Sequence, residues 1–175
     1  MIEKKTYEQL VADLEEPSFP LFGGSLAYID IELNLAMLIK LLKIKMEKDQ
    51  ELVACYSKVI FLAKSIKDEA HVMIEKDGEI FNLLRTTKDP LEKDQIVNSV
   101  FTSSYAFIEN MDTLDIFLVN LIESTKGTLK HDYRMIKETL RSVRKNLLHI
   151  LAYEVKKLSK EDEKQEKLDI IERLK

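Results

Sequence analysis

Two carboxylates stand close together at Glu75 and Asp77, within the run Met73-Ile74-Glu75-Lys76-Asp77-Gly78-Glu79-Ile80-Phe81. A carboxylate held in a site can take or give a proton during a reaction. At i and i+2 on a helix the two side chains diverge by about 200°, so they do not form one acid pair. The plain alternative is two solvated charges on a lysine-rich helix. His71 and Glu75, at i and i+4, share a face at metal-ligand spacing, but two ligands do not make a zinc site and the spacing reads as a surface pair. Gly23-Gly24-Ser25 offers backbone amides at a helix start, where an anion or a flat ligand can come close; a simple turn is the competing reading. Phe22 and Tyr28 beside it would either stack on such a ligand or fill its place. Cys55, with no histidine near it in the sequence, reads as a small core residue, and His131 as a loop residue. Arg134, Arg141, Arg144 and Lys145 read as a solvated basic helix face.

These residues must be positioned by helices. Thr6-Tyr7-Glu8-Gln9 has the capping-box pattern, and Leu10, Val11 and Leu14 follow at helical spacing up to Glu16-Pro17, where the helix must stop. After a loop through Pro20, Ser25 is placed to cap a second helix to about Glu47. Leu26, Ile29, Leu33, Met37 and Leu38 fill one face of it, and further apolar residues wrap the rest. A third helix is expected from about Gln50 to Arg85, with Val59, Ala63, Ile66, Val72, Ile80, Phe81 and Leu84 along it, and Asp89-Pro90 ends that segment. A fourth spans about Leu91 to Ser124, and a fifth about His131 to Leu158. The charge run Lys160-Glu161-Asp162-Glu163-Lys164 reads as a solvated face or linker, and Leu168, Ile171 and Leu174 as a last amphipathic turn or two.

Composition agrees. The 175 residues are 45% hydrophobic and 33% charged with only 4 Gly and 3 Pro, the profile of one helix-rich domain covering residues 1–175. A net charge of -4 gives no basic surface for nucleic acid, and the single cysteine allows no intrachain disulfide. The stretch from Leu26 to Met46 carries Asp30, Glu32, Lys40 and Lys43, so it is expected to lie in a protein core and not in a membrane. Met1-Ile2-Glu3-Lys4-Lys5 lacks the apolar core of a signal peptide, which makes the cytoplasm the expected compartment.

In order and spacing, these segments resemble the formiminotetrahydrofolate cyclodeaminase and methenyltetrahydrofolate cyclohydrolase family. Tyr7 to Leu14, Pro20, Gly23-Gly24-Ser25 and the apolar helix after them are similar to that family's short helix, Pro-Gly-Gly-Gly-Ser loop and helix of small residues. Met73 to Phe81 is similar to its apolar-apolar-Asp-x-Asp-x-x-x-Phe stretch, with Glu75 at the first acid and with Asp77 and Phe81 matching. Asp89-Pro90-Leu91-Glu92-Lys93 resembles its Pro-Glu-Glu-Lys, and Lys126-Gly127 with His131-Asp132 resembles its Gly-Asn and Ser-Asp. His149 falls where the family carries an inward asparagine. The resemblance runs over residues 6–158. Leu21 and Phe22 depart from it in the loop, as do Thr128 near the asparagine and Tyr28, Asp30 and Glu32 in the second helix.

The resemblance implies an all-α bundle of about five to six helices, with long antiparallel helices, that pairs as a homodimer with its site near the subunit interface. It implies a tetrahydrofolate derivative as substrate, with no other cofactor and no metal. The reaction would be hydrolysis of 5,10-methenyltetrahydrofolate or cyclodeamination of 5-formiminotetrahydrofolate. Asp77 would be the acid/base group and Glu75 a weaker second. Gly23, Gly24, Ser25, Asp132 and His149 would bind substrate, although Asp132 also reads as a helix cap and His149 as a hydrogen-bonded core histidine. The basic group from Arg134 to Lys145 would meet a glutamate tail if it is not merely solvated. The departures carry an alternative, a helical dimer of the same fold that has lost catalysis and serves as a binding or scaffold protein. A bundle unrelated to folate is the third.

Overall fold

The computed structural model describes residues 6–16 and 23–175. Within them the chain is all α, with no strand among the described residues: α1 Tyr7–Leu14, α2 Gly23–Lys48, a 3-10 turn at Gln50–Leu52, α3 Val53–Thr86, α4 Pro90–Ser124, α5 Thr128–Val155 and α6 Glu161–Leu174. No helix is long and apolar enough to cross a membrane among the described residues. The loop residues Pro20, Leu21 and Phe22 lie outside the described residues.

Local chemistry sets the boundaries. The Thr6 hydroxyl accepts from the Gln9 amide at 3.2 Å, and the Gln9 side chain accepts from the Thr6 amide at 2.9 Å, closing the capping box of α1. Asp89 caps α4 through the Leu91 amide at 3.2 Å, with Pro90 at the first helical position, where its missing N–H costs nothing. α5 begins at Thr128, three residues before His131, because Gly127 takes φ 76° and turns the chain directly into the helix. The charge run after Ser159 is a solvated helix face and not a linker. It forms the first turn of α6, where Glu161, Asp162 and Glu163 face the positive end of the helix dipole.

The long helices pack antiparallel in pairs. Ser25 meets Asp77, Glu32 meets His71 and Lys45 lies over the Tyr56 ring, which fixes the register of α2 against α3. Asp112 meets Arg144 and Asp115 meets Arg141, fixing α4 against α5. Ile31, Leu35 and Leu42 of α2, Ala63 and Ile66 of α3, Leu114 and Leu118 of α4, and Ile136 and Leu140 of α5 form one buried cluster. Leu84, Val97, Phe101, Ile108, Leu148, Leu151, Val155, Leu158 and Ile171 form a second at the end of the bundle covered by α6. There Asp94 of α4 accepts from the Ser159 amide at 2.9 Å and from the Ser159 hydroxyl. Those bonds hold the Asp94 carboxyl below its ordinary range and pin the turn that leads into α6.

The face of α2 expected to fill the core is largely the outward one. Leu26, Leu33 and Met37 are 41%, 64% and 42% exposed, while Ile31, Leu35, Leu38 and Leu42 are completely buried. The helix is apolar nearly all round, so periodicity alone does not select its inner side. Cys55, expected in the core, is exposed. It sits one residue, about 100° of helix rotation, from the buried Tyr56 that starts the inner stripe of α3.

Candidate functional site

Asp77 projects from α3 onto the first turn of α2. That helix starts at Gly23, two residues before the expected cap, so Ser25 lies inside its first turn and its amide has no partner within the helix. The amide donates to Asp77 Oδ2 at 2.9 Å and the Ser25 hydroxyl donates to the same oxygen at 3.2 Å. Asp77 thus caps α2 from a neighbouring helix, its charge facing the positive end of the dipole. The approach requires glycine at 24. A Cβ there would stand 2.6 Å from Asp77 Cγ, far inside van der Waals contact. Burial raises the Asp77 pKa above its ordinary value, the two Ser25 bonds pull it back, and the charge of Glu154 adds to the rise.

Beside Asp77 a cavity of about 220 Å³ opens among the start of α2, the later part of α3, the middle of α4 and the end of α5. Five polar side chains line it, Tyr28, Asp77, Ser104, Tyr153 and Glu154, and the rings of Phe81 and Phe107 join those of the two tyrosines in its walls. Tyr28 is buried and stands edge-on to Phe107 with ring centroids 5.6 Å apart, and Ser104 lines the same cavity. Burial first, then the charge of Asp77, pushes the Tyr28 phenol well above its ordinary pKa, so it remains a neutral donor. Glu154 is 8% exposed and accepts from Lys157 Nζ at 2.6 Å. An open groove of about 670 Å³ between α3 and α4 adjoins the cavity through Met73, Ile80 and Val100, and carries Glu69, Lys76, Glu92 and Gln95.

The structure brings together Gly23, Gly24, Ser25 and Asp77, and leaves the other proposed site residues apart. Glu75 is exposed and does not line the cavity. Asp132 lies in the second turn of α5, about 33 Å along that helix from Glu154, and neither reaches the cavity nor caps α5, whose cap position is Gly127. His149 is exposed, so it is neither a pocket residue nor a core histidine; its neighbours Leu148 and Ile150 take the inner positions. The His71 imidazole stands 3.2 Å from Glu32 of α2, an exposed surface pair. No group of three or more His, Cys, Asp or Glu among the described residues is arranged to hold a metal ion. Arg141 and Arg144 are engaged by Asp115 and Asp112 at 2.7 and 2.8 Å, and none of the four basic residues of that face lines the cavity.

Ser104 and Glu154 escaped the reading of the sequence. A signal for Glu154 was present. It falls three and seven residues after Leu151 and Leu147, on the inner stripe of α5, where an acid is out of place unless it has a partner or a task.

Comparison of the chain with protein-family models, with curated proteins and with solved structures gave no match in any of the three.

Proposed function

We propose that this chain is a folate one-carbon enzyme that hydrolyses 5,10-methenyltetrahydrofolate or cyclodeaminates 5-formiminotetrahydrofolate, with Asp77 as its proton-transfer group. The observation that carries the reading is the meeting of Gly24, Ser25 and Asp77 at the wall of an aromatic cavity, Ser25 and Asp77 being 52 residues apart in the chain. The resemblance assigns both segments to one site, and their contact supports that assignment. The chemistry fits the group. Asp77 Oδ2 is fixed by Ser25, while Oδ1 takes no hydrogen bond from the described residues. A carboxylate with a raised pKa is a competent base toward water attacking the amidinium carbon, and its protonated form a competent acid toward departing ammonia after N10 has attacked the formimino carbon. The pterin would occupy the cavity and the remainder of the substrate the groove between α3 and α4.

A non-catalytic binding or scaffold protein of the same fold is the second reading, favoured by one observation. The cavity, at about 220 Å³, is smaller than the ~300–1,000 Å³ usual for small-molecule sites, and Tyr28 takes part of the space. In both readings the outward stripe of Leu26, Leu33 and Met37 on α2 is the surface on which a second copy of the chain would pack, and the cytoplasm is the compartment.

The deciding measurement is the loss of methenyltetrahydrofolate absorbance, above the spontaneous rate, in the presence of purified protein. Loss that Asp77→Asn reduces about 100-fold or more supports the enzyme. No excess loss, together with no release of ammonia from the formimino substrate, leaves the binding reading.

A further inference from the structure

The cavity has a sign. Two carboxylates, Asp77 and Glu154, line it, and no Lys, Arg or His does so among the described residues. Its other polar side chains, Tyr28, Ser104 and Tyr153, are neutral hydroxyls that do not offset those charges. In the adjoining groove Glu69 and Glu92 outnumber Lys76. An anionic head would therefore meet a net negative charge, with no cation in the cavity lining to offset it.

We infer that this cavity takes a ligand whose head is planar and positively charged, of the amidinium or guanidinium class. Three features fit such a head. The walls present aromatic rings, whose faces attract a cation that has left water. Ser25 holds Asp77 Oδ2 while Oδ1 takes no hydrogen bond from the described residues, so the carboxylate is already oriented and has acceptor capacity to spare. The rim also holds a cation in this manner: the Lys157 ammonium bonds Glu154 at 2.6 Å and stands 4.7 Å from the centre of the Tyr153 ring. A ligand cation would engage Asp77 as Lys157 engages Glu154. The inference rests on the same cavity as the folate reading, and it fixes a charge class for the ligand without requiring turnover.

Calorimetric titration of the full chain with benzamidinium, benzamide and benzoate tests it, since the three share a ring and differ in charge. Benzamidinium should bind about tenfold or more tighter than benzamide, and benzoate should give no binding heat. Asp77→Asn and Glu154→Gln should each weaken benzamidinium about fivefold or more and leave benzamide unchanged. Lys157→Met, which frees Glu154 of its partner, should tighten benzamidinium. Circular dichroism of each variant checks that the helices persist. Benzoate binding as well as benzamidinium, no binding by any of the three, or an unchanged preference in both acid variants would overturn the inference. Turnover of methenyltetrahydrofolate without a preference for benzamidinium would sink this inference alone, and the preference without turnover would sink the folate reading alone.

Discussion

Gly24→Ala probes the junction of α2 and α3 most directly. The new methyl carbon would stand 2.6 Å from Asp77 Cγ, so the carboxylate must leave and its two bonds from Ser25 break. Hydrogen bonds to a charged acceptor are worth about 1.5–3 kcal/mol each in net terms, and the two share one oxygen and part of one effect. Taking about 3 kcal/mol for the pair and returning about 0.5 kcal/mol for replacing glycine within a helix leaves a loss of about 2–3 kcal/mol. For a chain of this length that lowers Tm by about 4–12 °C. Helical circular dichroism followed on heating measures it. Gly23→Ala is the control, because nothing stands within 4 Å of a Cβ at that position, and its Tm should hold or rise slightly. A double-mutant cycle isolates the cause: with Asp77→Ala already present, Gly24→Ala should cost nothing. Equal Tm for the two glycine variants, or an unchanged penalty when Asp77 is absent, would refute the close approach as the reason for glycine at 24.

Three further outcomes follow from the same structure. Burial holds the Asp77 pKa above its ordinary 3.8, so between that value and the folded one the native chain keeps a proton that the unfolded chain has released, and stability falls as pH rises through this window. Asp77→Asn lacks that dependence, so Tm measured from about pH 4 to pH 7 should move in favour of the variant as pH rises, and parallel profiles would contradict it. The Tyr133 hydroxyl is wholly buried without a hydrogen-bond partner among the described residues, so Tyr133→Phe should raise stability by about 1 kcal/mol in urea unfolding. Leu33→Glu should convert the proposed dimer to a monomer by light scattering while leaving the helical signal intact; a wild-type chain that is already monomeric at high concentration removes the dimer.

Helix existence and order were legible because glycine and proline are rare and each stop carries its own chemistry, as at Asp89-Pro90 and Gly127. Which side of a helix faces inward was legible only where polar residues marked the other side. α5 shows this, with Ile136, Leu140, Val143, Leu147 and Leu151 all buried as their spacing requires. α2 does not, because its outward Leu26 and Leu33 keep the same helical spacing as core leucines. Gly24, Ser25 and Asp77, which the structure brings together, stand out in the sequence only through their order along the chain. Their hydrogen bond does not, since it depends on the register of two helices and on α2 starting two residues before its expected cap. Asp132 and His149 were drawn in by sequence position alone, and helix length and rotation place them elsewhere.

The cavity lies where the two hydrophobic clusters adjoin. Phe107 and Leu147 on its wall belong to the larger cluster, Ile108 and Leu151 to the smaller one beneath α6. Because α4 and α5 run unbroken through both clusters, with Phe107 beside Ile108 and Leu147 beside Leu148, the seam that holds the cavity is braced by two continuous helices.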